Sequence, residues 1–507
     1  MKNKKSFFKN GILLTAVGLV MRTVGIFLSG YITRMIGAEG VGLNSLIMNV
    51  YSFALTFSTA GISLTVTALV AAMIGRGEGR RTGEILRGAF LYSMGFASLG
   101  TVLLVLLARP VGVGVIGDGR AVASLYILSL SLIPAAISSV ISGYFVGIRR
   151  VSLNAVLGVL GQVARVALTV SLLSSFGAGD TDAALRSLAL GVTLTESIVA
   201  AAALIELAVD RLQGDYERGA GASLAPVSKK ALPLALSAYI RSALLTLEHS
   251  IIPWRLSLHG ENTAEALASY GYLQGMALPI ILYPMVLLSS FGSLLVPEFA
   301  EAKAAGNRSA MERIAGKAFG ATLAFGVCAA VFILIFSEEL GYAVYSSYDA
   351  GSYIAILAPV VPIMYLDHVA DNMLKGIGEE VYSMWVNIAD SLLSLLLVFV
   401  LLPILGIAGY AVVIIAMEGF NFLLSVVRLR KRIKFRTNVL LTLVLPGGVM
   451  LLSSLFARAL VLERGGEATV FTLITEAAIA LSAFFASMML LRLLFSRGAR
   501  VQRQTRP

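Results

Sequence analysis

Fourteen apolar segments recur along this chain, at roughly 10–36, 42–73, 86–108, 120–147, 152–176, 184–209, 231–256, 264–296, 315–336, 350–374, 383–403, 406–428, 438–460 and 468–495. About 20 apolar residues cross a bilayer, and the longer stretches must tilt or kink. A chain built this way folds in lipid, where only closed hydrogen-bonded elements such as helices can span. The expected fold class is an all-α polytopic membrane protein with 14 transmembrane helices. Composition agrees: of 507 residues, 57% are hydrophobic and only 14% charged, against about 25% charged in soluble domains. The single cysteine, Cys328, excludes an intramolecular disulfide and a Cys-rich metal site.

The net charge of +11 invites a nucleic-acid reading, but its distribution excludes one. Basic residues alternate with the spans, as in the positive-inside pattern. They sit at Lys2, Lys4, Lys5 and Lys9; at Arg76, Arg80, Arg81 and Arg87; at Arg149 and Arg150; and at Arg211, Arg218, Lys229 and Lys230. They recur at Lys303, Arg308, Arg313 and Lys317, in RLRKRIKFR (428–436), and at Arg497, Arg500, Arg503 and Arg506. The intervening loops carry Asp180, Asp182, Glu261, Glu265, Glu338, Glu339, Glu463 and Glu467. Both termini are therefore expected in the cytoplasm of a plasma-membrane protein. Loop ten, with Lys375 against Glu379 and Glu380, departs from the pattern. The basic start resembles a signal peptide but lacks a small-residue cleavage site, so it reads as a retained first helix. The basic loops set topology, and they also suit anionic headgroups or a lipid pyrophosphate.

The chain repeats its own grammar. GRGEGRRTGEILRGAF (75–90) answers AGNRSAMERIAGKAF (305–319), and GYFVGIRR (143–150) answers NMLKGIGEE (372–380). Pro134 answers Pro362, and GVTLTESIVAAAALIELAVDR (191–211) answers GYAVVIIAMEGFNFLLSVVRLR (409–430), placing Glu196 opposite Glu418. The expected organisation is a six-helix lobe over 1–210, a cytoplasmic linker at 211–230, a second six-helix lobe over 231–436, two extra helices at 437–496 and a basic tail at 497–507. Such repeats usually enclose a central site and expose it alternately. Arg22 in the first helix answers Arg241 in the seventh. A cation within a span costs roughly 2.5–3.5 kcal/mol on insertion scales, so it must face protein or water. Gly18, Arg22, Gly25 and Ser29 share one small, polar helix face. Arg22 either pairs with an acid and holds helices together, or binds an anionic substrate.

The 6+6 repeat with two extra helices resembles the multidrug/oligosaccharidyl-lipid/polysaccharide flippase superfamily. Phe8–Gly11, Arg22–Thr23–Val24–Gly25, ITRMIGAEGVGLN (32–44) and STAGISLTVTALVA (58–71) resemble its polysaccharide-transporter branch, and within it the stage V sporulation protein B group. That resemblance implies flipping of undecaprenyl-linked saccharides from the inner to the outer leaflet. Related lipid II flippases carry a second arginine and an acid where this chain has Gly25–Ile26–Phe27–Leu28–Ser29, and an arginine pair where it has Tyr51–Ser52–Phe53.

A pyrophosphate needs permanent charge and forked donors in a dry site, which Arg22 and Arg241 offer. Asn44 and Asn49 either hydrogen-bond sugars or cross-link helices. Gln162, Arg165, Glu196 and Glu418 are further intramembrane polar groups from which partners for the arginines must come. Glu248 lies seven residues after Arg241, on the same face, beside His249 and before Pro253; it reads as an interfacial polar end or as a gating pair. Asp367, Asp371 and Lys375 follow at i, i+4 and i+8, with His368, Asn372, Asn387 and Asp390 nearby. They suit an inner salt-bridge network or coupling to Na⁺ or H⁺, and a metal reading is weak with one histidine. The cluster GRGEG (75–79) is no phosphate loop, because no Gly-Lys-Ser/Thr follows and no strand precedes. Short outer loops argue against a saccharide polymerase or ligase, so no enzymatic activity and no cofactor are expected. The partners expected are a polyprenyl-linked saccharide and membrane lipids, bound by a monomer. A cation-coupled multidrug exporter is the alternative, disfavoured because paired arginines repel cationic cargo.

Overall fold

The computed structural model describes the backbone of residues 2–504, except 178, 214–220, 222, 436–437 and 463–469. Side chains at 1–17, 151–153, 290, 293–294, 297, 439–441, 462, 470 and 491–504 also lie outside the description. Part of the linker expected at 211–230, residues 214–220 and 222, falls there, as do Glu463, Glu467 and the side chains of the N-terminal lysines and the tail arginines.

Helix α1 (Lys2–Thr59) runs for 58 residues and joins two of the expected segments. One residue absorbs the break between them: Gly37, at φ 68° and ψ 179°. A side chain there would be strained, whereas glycine takes positive φ freely. Gly61, at φ 75°, then opens α2 (Ile62–Gly75). The chain continues through α3 (Thr82–Arg109), a π-helical turn at Pro110–Ile116, α4 (Arg120–Ser129), α5 (Leu132–Gly147), α6 (Val151–Phe176) and α7 (Thr181–Gln213). Then come α8 (Leu224–Ser257), α9 (Thr263–Tyr270), a π-helical turn at Gly271–Ala277, α10 (Leu278–Ile281), α11 (Met285–Ala304), α12 (Arg308–Ile335), α13 (Ser337–Tyr345) and α14 (Tyr348–Leu357). The series closes with α15 (Val361–Gly376), α16 (Glu380–Leu405), α17 (Ile407–Arg432), α18 (Val439–Leu462) and α19 (Val470–Gln504).

Among the described residues, ten helices are long and apolar enough to cross a membrane. Counting the bent pair α4–α5, which turns by 41°, as one span makes eleven. The expected fourteen segments exceed this for physical reasons. Two of them lie in the single stretch Gly18–Gly75, which is broken at Gly37 and Gly61. A third is α8, diluted by Arg241, Glu248, His249 and Arg255, and a fourth is split into α9, α10 and α11 by a π-turn and Pro284. Helix α8 continues through Pro253.

The internal repeat is visible in the backbone. Helices α5 and α15 have 16 residues each, α6 and α16 have 26, and α3 and α12 have 28. The turns match as well. Gly77 (φ 79°) is answered by Gly306 (φ 64°), and Arg149 (φ 63°) by Gly378 (φ 77°). The amide of Arg150 donates to Phe145 O at 2.8 Å, and that of Glu379 to Leu374 O at 2.9 Å.

Residues group into two compact units. One comprises Met1–Tyr31, Tyr272–Asp390 and Tyr410–Pro507; the other comprises Ile32–Gly271 and Ser391–Gly409. In the second unit, Ile62, Val66, Val140, Ile141, Tyr144 and Phe145 form an apolar core where α2 packs on α5. In the first, Phe319, Leu323, Val369, Met373, Leu429 and Phe435 do the same where α12 packs on α15. Leucines and valines at 39% to 70% exposure, such as Leu106, Leu396 and Leu452, cover the outward faces. That is the reverse of a soluble protein and suits acyl chains as solvent.

Candidate functional site

Arg22 and Arg241 are both exposed. Neither has a carboxylate partner among the described residues. Arg22 lies in the first unit, within electrostatic reach of the Tyr345 hydroxyl. Its neighbour Thr23 shares a 2.8 Å hydrogen bond with Tyr283 OH, which ties α1 to the segment before α11. Arg22 precedes the break at Gly37 by fifteen residues, and Arg241 precedes the end of α8 at Ser257 by sixteen. At 1.5 Å per residue, both stand about 22–24 Å down their helices. Each cation thus stands a similar distance along its own helical segment.

The other polar candidates divide between the units. In the second, Arg165 pairs with Glu196 at 3.5 Å. This joins a residue expected to bind substrate with one expected to gate. Tyr51 is buried beside that pair and accepts a 2.8 Å hydrogen bond from Ser131 Oγ. Asn49 Nδ2 donates to Tyr270 OH at 3.0 Å, and its carbonyl accepts from Thr246 Oγ1 at 3.2 Å. Tyr270 OH in turn meets His249 Nδ1 at 3.2 Å. Asn49 therefore cross-links α1 to α8 and α9. Glu248 is 7% exposed and accepts from Ser394 Oγ at 2.6 Å, so it is buried and satisfied rather than interfacial. Asn44 and Gln162 are half-buried.

In the first unit, Asp371 pairs with Lys375 at 2.6 Å. Asp367, one turn earlier, takes another course. Ser425 hydrogen-bonds it, its Oδ1 is buried with no partner among the described residues, and it lies within electrostatic reach of Asp390 and Glu418. Acids from α15, α16 and α17 thus converge. Among the described residues, no group of three or more His, Cys, Asp or Glu is placed to hold a metal ion.

Three features escaped the reading of the sequence. The first is a reciprocal helix crossing within the second unit. A Cβ on Gly42 would stand 1.9 Å from Leu267 O, and one on Gly271 would stand 2.2 Å from Ala38 O. The backbones of α1 and of the α9–π-turn junction touch through glycine alone, as small residues permit in membranes. Close by in sequence, Arg120 Nη2 donates to Glu39 Oε1 at 2.5 Å and to Asp118 Oδ2 at 2.6 Å. Burial works to raise the Asp118 carboxyl, yet the hydrogen bonds from Arg120 hold it below the usual carboxylate range.

The second and third features are a matched pair of clasps. Asp210, 4% exposed, binds Arg150 Nη1 at 2.7 Å and Tyr144 OH at 2.7 Å. In the other half, Glu379 binds Arg428 at 2.6 Å and Arg432 at 2.6 Å. Hydrogen bonds from Arg428, with the Arg432 charge adding, hold the Glu379 carboxyl below its usual range. Arg150 and Glu379 hold the same place in the repeated turn, and their partners, Asp210 in one half and Arg428 with Arg432 in the other, lie in the last turns of α7 and α17, so the polarity is reversed. The clasp also accounts for loop ten: one of its acids is neutralised by arginines of α17. The signal was present in the repeat, where GYFVGIRR faces NMLKGIGEE.

Comparison with known proteins follows the same lines. A family model described as polysaccharide biosynthesis protein matches residues 7–303, and a MatE model matches 256–400. Stage V sporulation protein B of Bacillus subtilis (strain 168) is 26% identical over 424 residues, covering 81% of each chain. The lipid II flippase MurJ in an inward closed conformation superposes with a TM-score of 0.71 at 13% identity, covering 96% of this chain and 100% of that one. An inward-facing multidrug resistance MATE transporter of the MOP superfamily gives 0.64 at 15% identity, covering 82% and 94%.

Proposed function

Because the chain belongs to the polysaccharide biosynthesis protein family, a family of multi-pass cell-membrane proteins, we propose that it flips a lipid-linked saccharide from the inner to the outer leaflet. The observation that carries this reading is the pair Arg22 and Arg241: two exposed cations, answering one another in the sequence repeat, with no acid to neutralise them among the described residues. An uncompensated cation in a span is costly unless water or an anionic ligand meets it. A pyrophosphate supplies that anion, and guanidinium forks suit its oxygens. The name of the similar flippase and the sporulation relative support a saccharide on a polyprenyl carrier, with undecaprenyl as the carrier we favour.

In this mechanism the spans number fourteen, with both termini cytoplasmic, and the protein works as a monomer by alternating access. The pyrophosphate meets Arg22 and Arg241 from the cytoplasmic side while the polyprenyl tail stays in lipid. The Gly42–Gly271 crossing, beside the Glu39–Arg120–Asp118 cluster, closes the outer side. The acids Asp367, Asp390 and Glu418 take up H⁺ or Na⁺ and couple the return step. A ligand drives such a cycle only through different affinity for its two states.

The test is flipping of a fluorescent undecaprenyl-pyrophosphate saccharide in proteoliposomes. Arg22→Ala and Arg241→Ala should each lower the rate about 10- to 100-fold, the worth of a charge-assisted contact. Full rates in both variants would sink the charge-capture mechanism. No flipping by folded wild type, across head groups and ion gradients, would favour cation-coupled export through the acids of α15–α17.

A further inference from the structure

The first unit carries a second, separate arrangement of cations. A cavity of about 320 Å³ opens between the first turns of α12 and those of α18. Arg313 and Lys317, one helical turn apart on α12, line it with Asn438 and Thr442 of the opposite wall. Both cations are exposed, and neither has an acidic partner among the described residues. Glu312 also borders the cavity, but Arg308 holds its carboxylate at 3.3 Å. The walls are fixed from below. Phe435, in the connection that leads to α18, packs on Phe319 of α12 at 5.2 Å between ring centroids, and the Arg430 guanidinium lies 5.8 Å over the Phe435 ring.

Its surroundings identify the occupant. The spans of α12 and α18 begin at this level, where a bilayer places its headgroups. Leu443 and Val444, directly after Thr442, are 41% and 55% exposed and offer an apolar path for acyl chains. The last turn of α17 and the connection after it add Arg430, Lys431 and Lys434. Basic pockets between helices on the cytoplasmic side take anionic lipid headgroups. We propose that this cavity binds the phosphate headgroup of an anionic membrane phospholipid, with Arg313 and Lys317 as its cationic ligands and Asn438 and Thr442 as polar contacts. The site does not depend on the transport reading, because it is tested by binding alone.

Native mass spectrometry of the full chain, titrated with phosphatidylglycerol or phosphatidylcholine, reads it directly. Each basic residue near a membrane surface contributes on the order of fivefold to affinity for anionic lipid. The double variant Arg313→Gln/Lys317→Gln should therefore bind phosphatidylglycerol about tenfold or more weakly, and phosphatidylcholine unchanged. Gly320→Leu provides a test without charge change. A Cβ at Gly320 meets only Thr442 Cγ2, at 3.7 Å, so the helix tolerates it while the longer side chain fills the cavity. It should weaken the same lipid. Arg80→Gln/Arg87→Gln, in the answering loop of the first half, should have no such effect. Four outcomes overturn the proposal. They are phosphatidylglycerol binding unchanged in both cavity variants, equal loss in the Arg80/Arg87 control, and displacement of the lipid by millimolar inorganic phosphate or selective binding of polyprenyl pyrophosphate instead.

Discussion

Adding one methyl group at the glycine crossing should unseal it. An alanine Cβ at position 42 would stand 1.9 Å from Leu267 O, and at position 271 it would stand 2.2 Å from Ala38 O, whereas ordinary contact begins at 3.4 Å. The obstructing atoms are backbone carbonyls within helical stretches, so no side chain can rotate away. The backbones must part by about 1.5 Å in Gly42→Ala and about 1.2 Å in Gly271→Ala. Overpacking of this kind costs roughly 1–3 kcal/mol, which displaces a two-state equilibrium about 5- to 150-fold. That cost falls only on the state in which the helices touch. The assay is labelling by a membrane-impermeant maleimide applied from outside, with Arg22→Cys as reporter in a Cys328→Ser background. Both alanine variants should label faster by that factor, with Gly42→Ala ahead of Gly271→Ala. Gly158→Ala in α6, where an added Cβ meets nothing within 4 Å, is the control. Unchanged labelling in well-folded Gly42→Ala and Gly271→Ala would refute the crossing as the outer seal.

Two further outcomes concern the clasps. Asp210→Ala leaves the fully buried Tyr144 hydroxyl without its acceptor and should destabilise the protein by about 1–3 kcal/mol in thermal unfolding, with Tyr144→Phe recovering part of the loss. The Glu379 carboxyl is held below its usual range in the folded protein, so its contribution is present at neutral pH and fades as pH falls below the ordinary glutamate range through the folded value. Glu379→Gln should therefore flatten the acid limb of the stability curve and leave its alkaline limb unchanged, as followed by melting temperature against pH.

How much of this was legible follows from which forces act locally. Hydropathy is a property of short windows, so the all-helical, multi-pass character of the chain could be read directly. The brevity of the break between the first two segments could not. The run Gly37–Ala38–Glu39–Gly40 looks like a loop in composition, yet a single positive φ at Gly37 carries the whole deviation and helix resumes at once. Pairings between distant elements were equally hidden. Arg165 had several acids to choose from, and only the packing of α6 on α7 selects Glu196. The hydrogen bond of Glu248 with Ser394, 146 residues away, was invisible in the sequence. So was the bond from Asn49 to the Tyr270 hydroxyl.

The reversed clasps have a bearing on how such a chain is assembled. Two halves with the same helix lengths and the same turns present nearly interchangeable docking slots while they emerge into the bilayer. If α17 settled where α7 belongs, Arg428 would face Arg150, and the converse error would set Asp210 against Glu379. Each wrong pairing places like charges together, and only the right one neutralises them. The opposite signs act as a key that tells one copy of a duplicated fold from the other, in a protein whose apolar surfaces alone could not.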